Sequence, residues 1–162
     1  MPTHFEERQY FRQWWIWLLL GGLNAATLFA FAQQVFFKNP ISGVPVNFVV
    51  LLVTLLLLLS ISIFLWRVHL DIKMDDHALS YRWSPMMGKA FKTIPWQRIR
   101  KQELIQYGYI GYGTRYCLQY GRIHQVKGDK GLQFVTNQDK KYLIGTQKPK
   151  EMAAFLATLG KL

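Results

Sequence analysis

Two long stretches of the chain lack the ordinary mixing of polar and apolar positions. The run from Trp14 to Phe37 and the run from Ile41 to Trp66 contain no charged residue. A helix needs about 20 apolar residues to cross the hydrocarbon layer of a membrane, and both runs meet that length. Neither alternates with the period of a strand, so a barrel-type crossing fails. The segment Val49 to Val53, continuing through Leu55 to Leu59, is apolar on every face, whereas a helix of a soluble protein shows a polar stripe. Trp14, Trp15 and Trp17 crowd the start of the first run and Trp66 ends the second, the positions where tryptophan settles at headgroup level. Between the runs lies a turn-rich connector, Lys38 to Pro45. So short a link makes the two helices antiparallel neighbours. Residues 1–66 are therefore expected to be a transmembrane hairpin, with spans at about 14–37 and 44–66.

After Arg67 the pattern changes to the strand period. Val68, Leu70, Ile72 and Met74 alternate with polar residues, and Asp75-Asp76-His77 reads as a turn. Ala78 to Trp83 predicts a second strand, and Ser84-Pro85-Met86-Met87-Gly88 breaks it. Ala90 to Ile94 predicts a third, ended by Pro95, and Ile99 to Tyr107 a fourth. A loop of glycine and tyrosine follows, Tyr107 to Gly113. Tyr116 to Tyr120 predicts a fifth strand, extended by Ile123 to Val126. Gly128 to Gly131 is a turn. Strands around Leu132 to Thr136 and Lys141 to Gly145 bring the count to seven. Met152, Phe155, Leu156 and Leu159 then fall at i, i+3, i+4 and i+7, which is an amphipathic helix. Pro149 suits its first turn and Gly160 its end. The expected fold class is an α+β membrane protein: a two-helix hairpin, then residues 67–162 as a small β-barrel or sandwich with a C-terminal capping helix.

Charge sharpens this division. The chain has 20 lysines and arginines against 9 acids, a formal net charge of +11. Of these, 17 basic residues and 7 acids lie from Arg67 onward. The segment before the first span carries Arg8 and Arg12, and the connector carries only Lys38. The positive-inside rule then puts both termini in the cytoplasm, in a multi-pass protein of the inner membrane. Ala30-Phe31-Ala32 resembles a signal-peptidase site. The apolar run is longer than a signal core and is preceded by Glu6 and Glu7, which favours a retained span.

No spacer separates Trp66 from the first strand, so the basic domain is expected within reach of the headgroups. Arg67, Lys89, Lys92, Arg98, Arg100 and Lys101 are the expected contacts to anionic lipid, each cation near such a surface adding about 1 kcal/mol. Gly22, Ala26 and Ala30 recur every fourth residue on the first span. They are expected to serve helix packing, on the second span first and otherwise on another copy or a foreign subunit. Asn24, deep in the same span, is expected to hydrogen-bond locally or across helices.

Three patches carry a resemblance. They are Ile94-Pro95-Trp96-Gln97-Arg98-Ile99, Gly111-Tyr112-Gly113-Thr114-Arg115, and Leu143-Ile144-Gly145-Thr146-Gln147-Lys148-Pro149. With the order of elements, they resemble the bacterial pleckstrin-homology-like domain in its small two-span membrane proteins of unknown function. The resemblance implies a curled seven-stranded sheet capped by the last helix, and no catalytic residues. Lipid-binding pleckstrin-homology domains gather basic residues at their first hairpin. Here that tip is Asp75-Asp76-His77, which is acidic, so the specific headgroup site of those domains is not expected.

Little else suggests chemistry. The single cysteine, Cys117, excludes an intramolecular disulfide and zinc sites built on paired cysteines. His4, His69, His77 and His124 show no metal-ligand spacing. Asp75 and Asp76 are neighbours and would diverge in a strand. Gly108, Gly111 and Gly113 lack the spacing and the Lys-Ser/Thr end of a phosphate loop. No catalytic residue, cofactor or nucleic-acid partner is expected. The expected role is a membrane-anchored binding or scaffold module that associates with itself or a protein partner through Tyr109, Tyr112 and Arg115. The alternatives are an accessory subunit of a larger membrane complex and, behind both, a lipid-modifying enzyme.

Overall fold

A computed structural model describes residues 4–37, 47–86, 88, 90–108 and 113–161. They fall into two compact units. One runs from Arg12 to Arg67; the other joins the N-terminal segment through Phe11 to Val68–Leu162.

The first unit is two helices, α1 (Trp14–Phe36) and α2 (Phe48–Arg67), both long and apolar enough to cross a membrane. They are antiparallel, as the short connector requires. Trp17 meets Trp66 edge-on at 5.5 Å, and Phe31 meets Phe48 at 5.5 Å at the opposite end. Midway, the Asn24 side-chain amide donates to the Leu20 carbonyl at 2.7 Å and to the Ser62 hydroxyl at 3.2 Å. Both the local and the cross-helix bonds expected of Asn24 are therefore made. Ser60, Ser62 and Thr54 each donate back to a carbonyl four residues earlier, which leaves no hydroxyl proton unmatched on an apolar helix. Scarcely any of the apolar surface is buried, which is not the environment of a soluble protein's core helix. The connector Lys38–Pro45 lies outside the described residues.

The second unit contains two β-sheets and a helix. One sheet has the order β1 (Phe5–Tyr10), β2 (His69–Met74), β3 (Ala78–Ser84), β4 (Lys92–Pro95), antiparallel throughout. A single 3-10 turn, Trp96–Arg98, carries the chain into the other sheet. That sheet has the order β5 (Ile99–Gln106), β8 (Lys130–Thr136), β9 (Lys141–Thr146), β7 (Gly121–Gln125), β6 (Gly113–Cys117). Helix α3 (Pro149–Thr158) follows, with Met152, Phe155 and Leu156 buried as its spacing predicts. Gly160 takes a left-handed φ of 62°. This lets the Gly160 and Lys161 amides turn back to the Ala157 and Leu156 carbonyls.

One core joins both sheets and α3. Leu70, Ile72, Tyr81 and Trp83 from the first sheet meet Leu132, Phe134 and Ile144 from the second. No strand pairing links the sheets among the described residues, so of the expected barrel or sandwich the closed barrel is not formed.

Two further expectations are corrected. The segment before α1 is not a tail of the hairpin: it is β1, paired in full register with β2 from Phe5↔Met74 to Tyr10↔His69. Its inward residues are Phe5, Glu7 and Gln9; two of the three are polar, which hides the strand period. The expected fifth strand is two strands. Residues 118–120 form a turn, and Gly121, at φ 74°, starts β7. Strand β4 starts at Lys92 rather than Ala90, and Pro95 ends it as expected, opposite Ala78. Proline is tolerated there because β4 is an edge strand with no outer neighbour needing an N–H. Finally, β7 runs parallel to β9, with Ile123 beside Leu143, a pairing that a succession of hairpins does not anticipate.

Candidate functional site

The outer face of the first sheet is a ladder of charges. Register alone brings Arg8, Asp71 and Arg82 into one row across β1, β2 and β3. Asp71 Oδ1 accepts from Arg8 Nε at 2.6 Å, and Oδ2 accepts from Arg82 Nη2 at 2.6 Å. His69 Nε2 lies 3.5 Å from the same carboxylate. Burial pushes the Asp71 carboxyl up, but the hydrogen bonds from Arg82 and Arg8 and the charge near His69 outweigh it and hold it below the usual range. One row on, Lys73 Nζ meets Glu6 Oε1 at 2.7 Å.

The inner face of β1 ties that strand to the foot of α3. Glu7 Oε1 accepts from the Gln147 amide at 2.7 Å, and the Thr146 hydroxyl donates to Oε2 at 2.5 Å. Gln9 Nε2 donates to the Gly145 carbonyl at 2.8 Å. Burial raises the Glu7 carboxyl above its ordinary value in spite of these donors.

A polar group also lies within the core. His124 on β7 is 3 % exposed. Trp83 Nε1 donates to His124 Nδ1 at 3.1 Å, and the Thr114 hydroxyl lies 3.2 Å from the same atom. Nδ1 is thus the acceptor, which assigns the proton of the neutral ring to Nε2. The Tyr81 ring packs against the imidazole at 4.5 Å. Burial, with repulsion from Lys92 and Arg122, lowers the His124 pKa to about 4. Burial raises that of Tyr81 to about 12.

A cleft of about 540 Å³ lies between edge strand β4 and the β8–β9 turn. Lys92, Thr93 and Ile94 form one wall, Thr136 to Gln138 with Lys140 form the other, and Arg98 and Tyr142 complete the lining. The Asn137 amide donates to the Arg98 carbonyl at 2.9 Å, and Asn137 Nδ2 donates to the Gln97 carbonyl at 3.0 Å. These bonds fix the turn against the 3-10 segment, so the two walls keep their spacing. Tyr142 is held from behind by a parallel stack on Phe134 at 5.2 Å. Three cations line the cleft and no acid does. A second cleft, of about 430 Å³, lies on the other side of the turn and adds Arg122 and Lys141.

The expected lipid contacts divide accordingly. Lys92 and Arg98 come together in the cleft. Arg100 is paired with Asp139 at 2.7 Å and Lys101 lies 3.9 Å from Glu103. Arg67 ends α2 in the other unit. Lys89 lies outside the described residues, as do Tyr109 and Tyr112 of the expected partner surface. Arg115 is exposed on β6, the outer strand of the second sheet. Next to it, Tyr116 is 76 % exposed and Leu118 is 90 % exposed. Gly22 and Ala26 are exposed and Ala30 half-buried. A Cβ added at Gly22 would meet nothing within 4 Å, so Gly22 and Ala26 are not what packs α1 on α2; Leu20, Asn24, Thr27 and Ala30 are the more buried positions instead. Sequence reasoning missed Lys140 and Asn137 because they sit in a turn far from Lys92 in the chain. The polar turn Asn137-Gln138-Asp139-Lys140 was the only available signal. Among the described residues, no group of three or more His, Cys, Asp or Glu side chains is arranged to hold a metal. No protein-family model matches the sequence, and no curated protein matches it.

Proposed function

We propose that this chain is a membrane-anchored, non-catalytic binding module, which presents its basic β-domain at the cytoplasmic face of the inner membrane. One observation carries the reading: β1, before the first apolar helix, pairs along its whole length with β2, directly after the second. The Phe11 amide also donates to the Val68 carbonyl at 3.3 Å. Both outer ends of the helix pair therefore start from adjacent strands of one sheet. Helices that span a membrane from there must cross an even number of times and return to the side they left. The excess of basic residues favours the cytoplasmic side for that shared end. The buried bonds of Glu7 and Gln9 make β1 part of the fold, which supports a retained first span over a cleaved signal segment.

Two attachment points instead of one limit the domain's rotation, which suits a platform that must hold a partner in a fixed pose. The outer strand β6, with Tyr116 on it and Leu118 just after it, is the surface best suited to strand addition by a protein partner or a second copy. Native mass measurement in mild detergent tests the reading: a dimer or a co-purified protein is expected. A uniform monomer with nothing attached would refute self-association and tight protein partnership together. A second reading, an accessory subunit within a larger membrane complex, is favoured by the stripe of Gly22 and Ala26, which faces away from α2. Replacing both by leucine would then release the partner while leaving the helix pair intact. Unchanged co-purification would reject it.

A further inference from the structure

We infer that the cleft between β4 and the β8–β9 turn is a binding site for a phosphate group. This deepens the proposed binding role by naming a ligand class, and it does not depend on the domain's oligomeric state.

The charges point to an anion. Some cations of this unit are neutralised: Arg8 and Arg82 by Asp71, Lys73 by Glu6, Arg100 by Asp139 and Lys148 by Glu151. Among the described residues no ion pair involves Lys92, Arg98 or Lys140, the three that share the cleft. Lys92 is half-buried, with its Nζ 5.2 Å from the Tyr142 ring centre and 5.8 Å from that of Tyr81. Removing a cation from water without a carboxylate is costly, and two aromatic faces offset only part of that cost. An incoming anion would supply the missing counter-charge.

The donor set favours phosphate. A monoester carries about −1.5 to −2 at neutral pH and three acceptor oxygens. The cleft offers a guanidinium for paired hydrogen bonds and two ammonium groups. A single carboxylate would leave more than one of the three cations unmatched.

The test is calorimetric titration of the full chain in neutral detergent with inorganic pyrophosphate. Saturable binding is expected. Lys92→Gln, Arg98→Gln and Lys140→Gln should each weaken it about tenfold, the scale of one charge-assisted hydrogen bond. Lys150→Gln on α3 removes the same charge elsewhere and should leave the affinity unchanged. Phosphatidic acid mixed into the micelles separates the sources. If it does not compete with pyrophosphate, the ligand is soluble; if it competes and the three variants abolish the competition, a lipid headgroup supplies the phosphate. Absence of saturable binding, or equal weakening by Lys150→Gln, overturns the site. Arg98 and Lys140 are exposed, so their variants keep the fold, and an unchanged melting temperature checks this. The particle mass of the same samples shows separately whether the binding-module reading survives.

Discussion

Acidification should weaken the β-domain through one side chain, His124. The unfolded chain takes up a proton near pH 6.5, whereas the folded domain holds this imidazole neutral down to about 4. Between those values the unfolded state binds more protons, so stability is complete above pH 6.5 and is lost as pH falls toward 4. A separation of about 2.5 pK units corresponds to about 3 kcal/mol, of which about 2 kcal/mol is gone by pH 5. The cause is structural: Trp83 Nε1 donates to Nδ1, and a doubly protonated ring could not accept that bond. Burial and the nearby Lys92 and Arg122 oppose the charge as well. His124→Asn places an acceptor oxygen near the position of Nδ1 and does not titrate. The assay is denaturant unfolding of wild type and variant in detergent, followed by near-ultraviolet circular dichroism, at intervals from pH 7 to 4. The difference between the two proteins isolates His124 from every other titrating group. It should change by about 3 kcal/mol across the window in favour of the variant at low pH. A difference that stays constant with pH, or a His124 ring resonance that titrates near 6.5, would refute the assignment.

Glu7 should behave in the opposite sense. Its carboxyl is raised by burial, so the folded state favours the protonated form and stability falls as pH rises from 4.5 through the folded value. Glu7→Gln keeps an acceptor for the Gln147 amide and should be neutral or stabilising at pH 7. Glu7→Ala strands two donors and should cost about 1–3 kcal/mol in the same unfolding assay. Asp71→Asn should cost about 3 kcal/mol at pH 7, because Arg82 loses a partner in a partly buried row. The stability owed to Asp71 is present above about pH 4 and disappears as pH falls through its lowered folded value. Gly121→Ala should cost about 3 kcal/mol or more, read as lost melting temperature, since φ is 74° and the new Cβ would lie 2.1 Å from the Lys141 carbonyl oxygen.

How much of this was legible in the sequence depended on whether a residue's neighbours in space are also its neighbours in the chain. The two apolar helices and α3 were legible, because helix periodicity is written within a few turns of chain. Strands β2, β3 and β5 were legible, the first two because Leu70, Ile72, Leu79 and Tyr81 face a dry core and alternate with the polar residues Asp71, Lys73, Ser80 and Arg82. β1 was not, since its inward positions are Glu7 and Gln9. Their partners, Gly145, Thr146 and Gln147, lie more than 130 residues on, and no local window contains that pairing. The same holds for the candidate site. Lys92 and Arg98 stood out as a basic run, but Arg100 and Lys101 belonged to the same run and are paired elsewhere. Only the folded register separates the neutralised cations from the uncompensated ones. The stripe of Gly22, Ala26 and Ala30 was equally plain in the chain, yet its direction was not, because spacing fixes a helical face and not what that face meets.

The order of synthesis gives β1 a consequence of its own. The strand leaves the ribosome before both apolar helices, yet among the described residues its one sheet neighbour is β2, about 60 residues later and on the far side of both. If those helices span a membrane, β1 reaches β2 only when both have inserted and the chain has come back to the side it left. A hairpin with one failed or inverted crossing would strand β1 on the opposite side, leaving Asp71 without Arg8 and leaving Thr146 and the Gln147 amide without the Glu7 carboxylate. The completed sheet is then a physical record of correct insertion, and the polar character of β1 acquires a reason. An apolar strand preceding an apolar span would merge with it and slide into the lipid. A strand that alternates charge outward and buried polar groups inward has no stable place except beside β2.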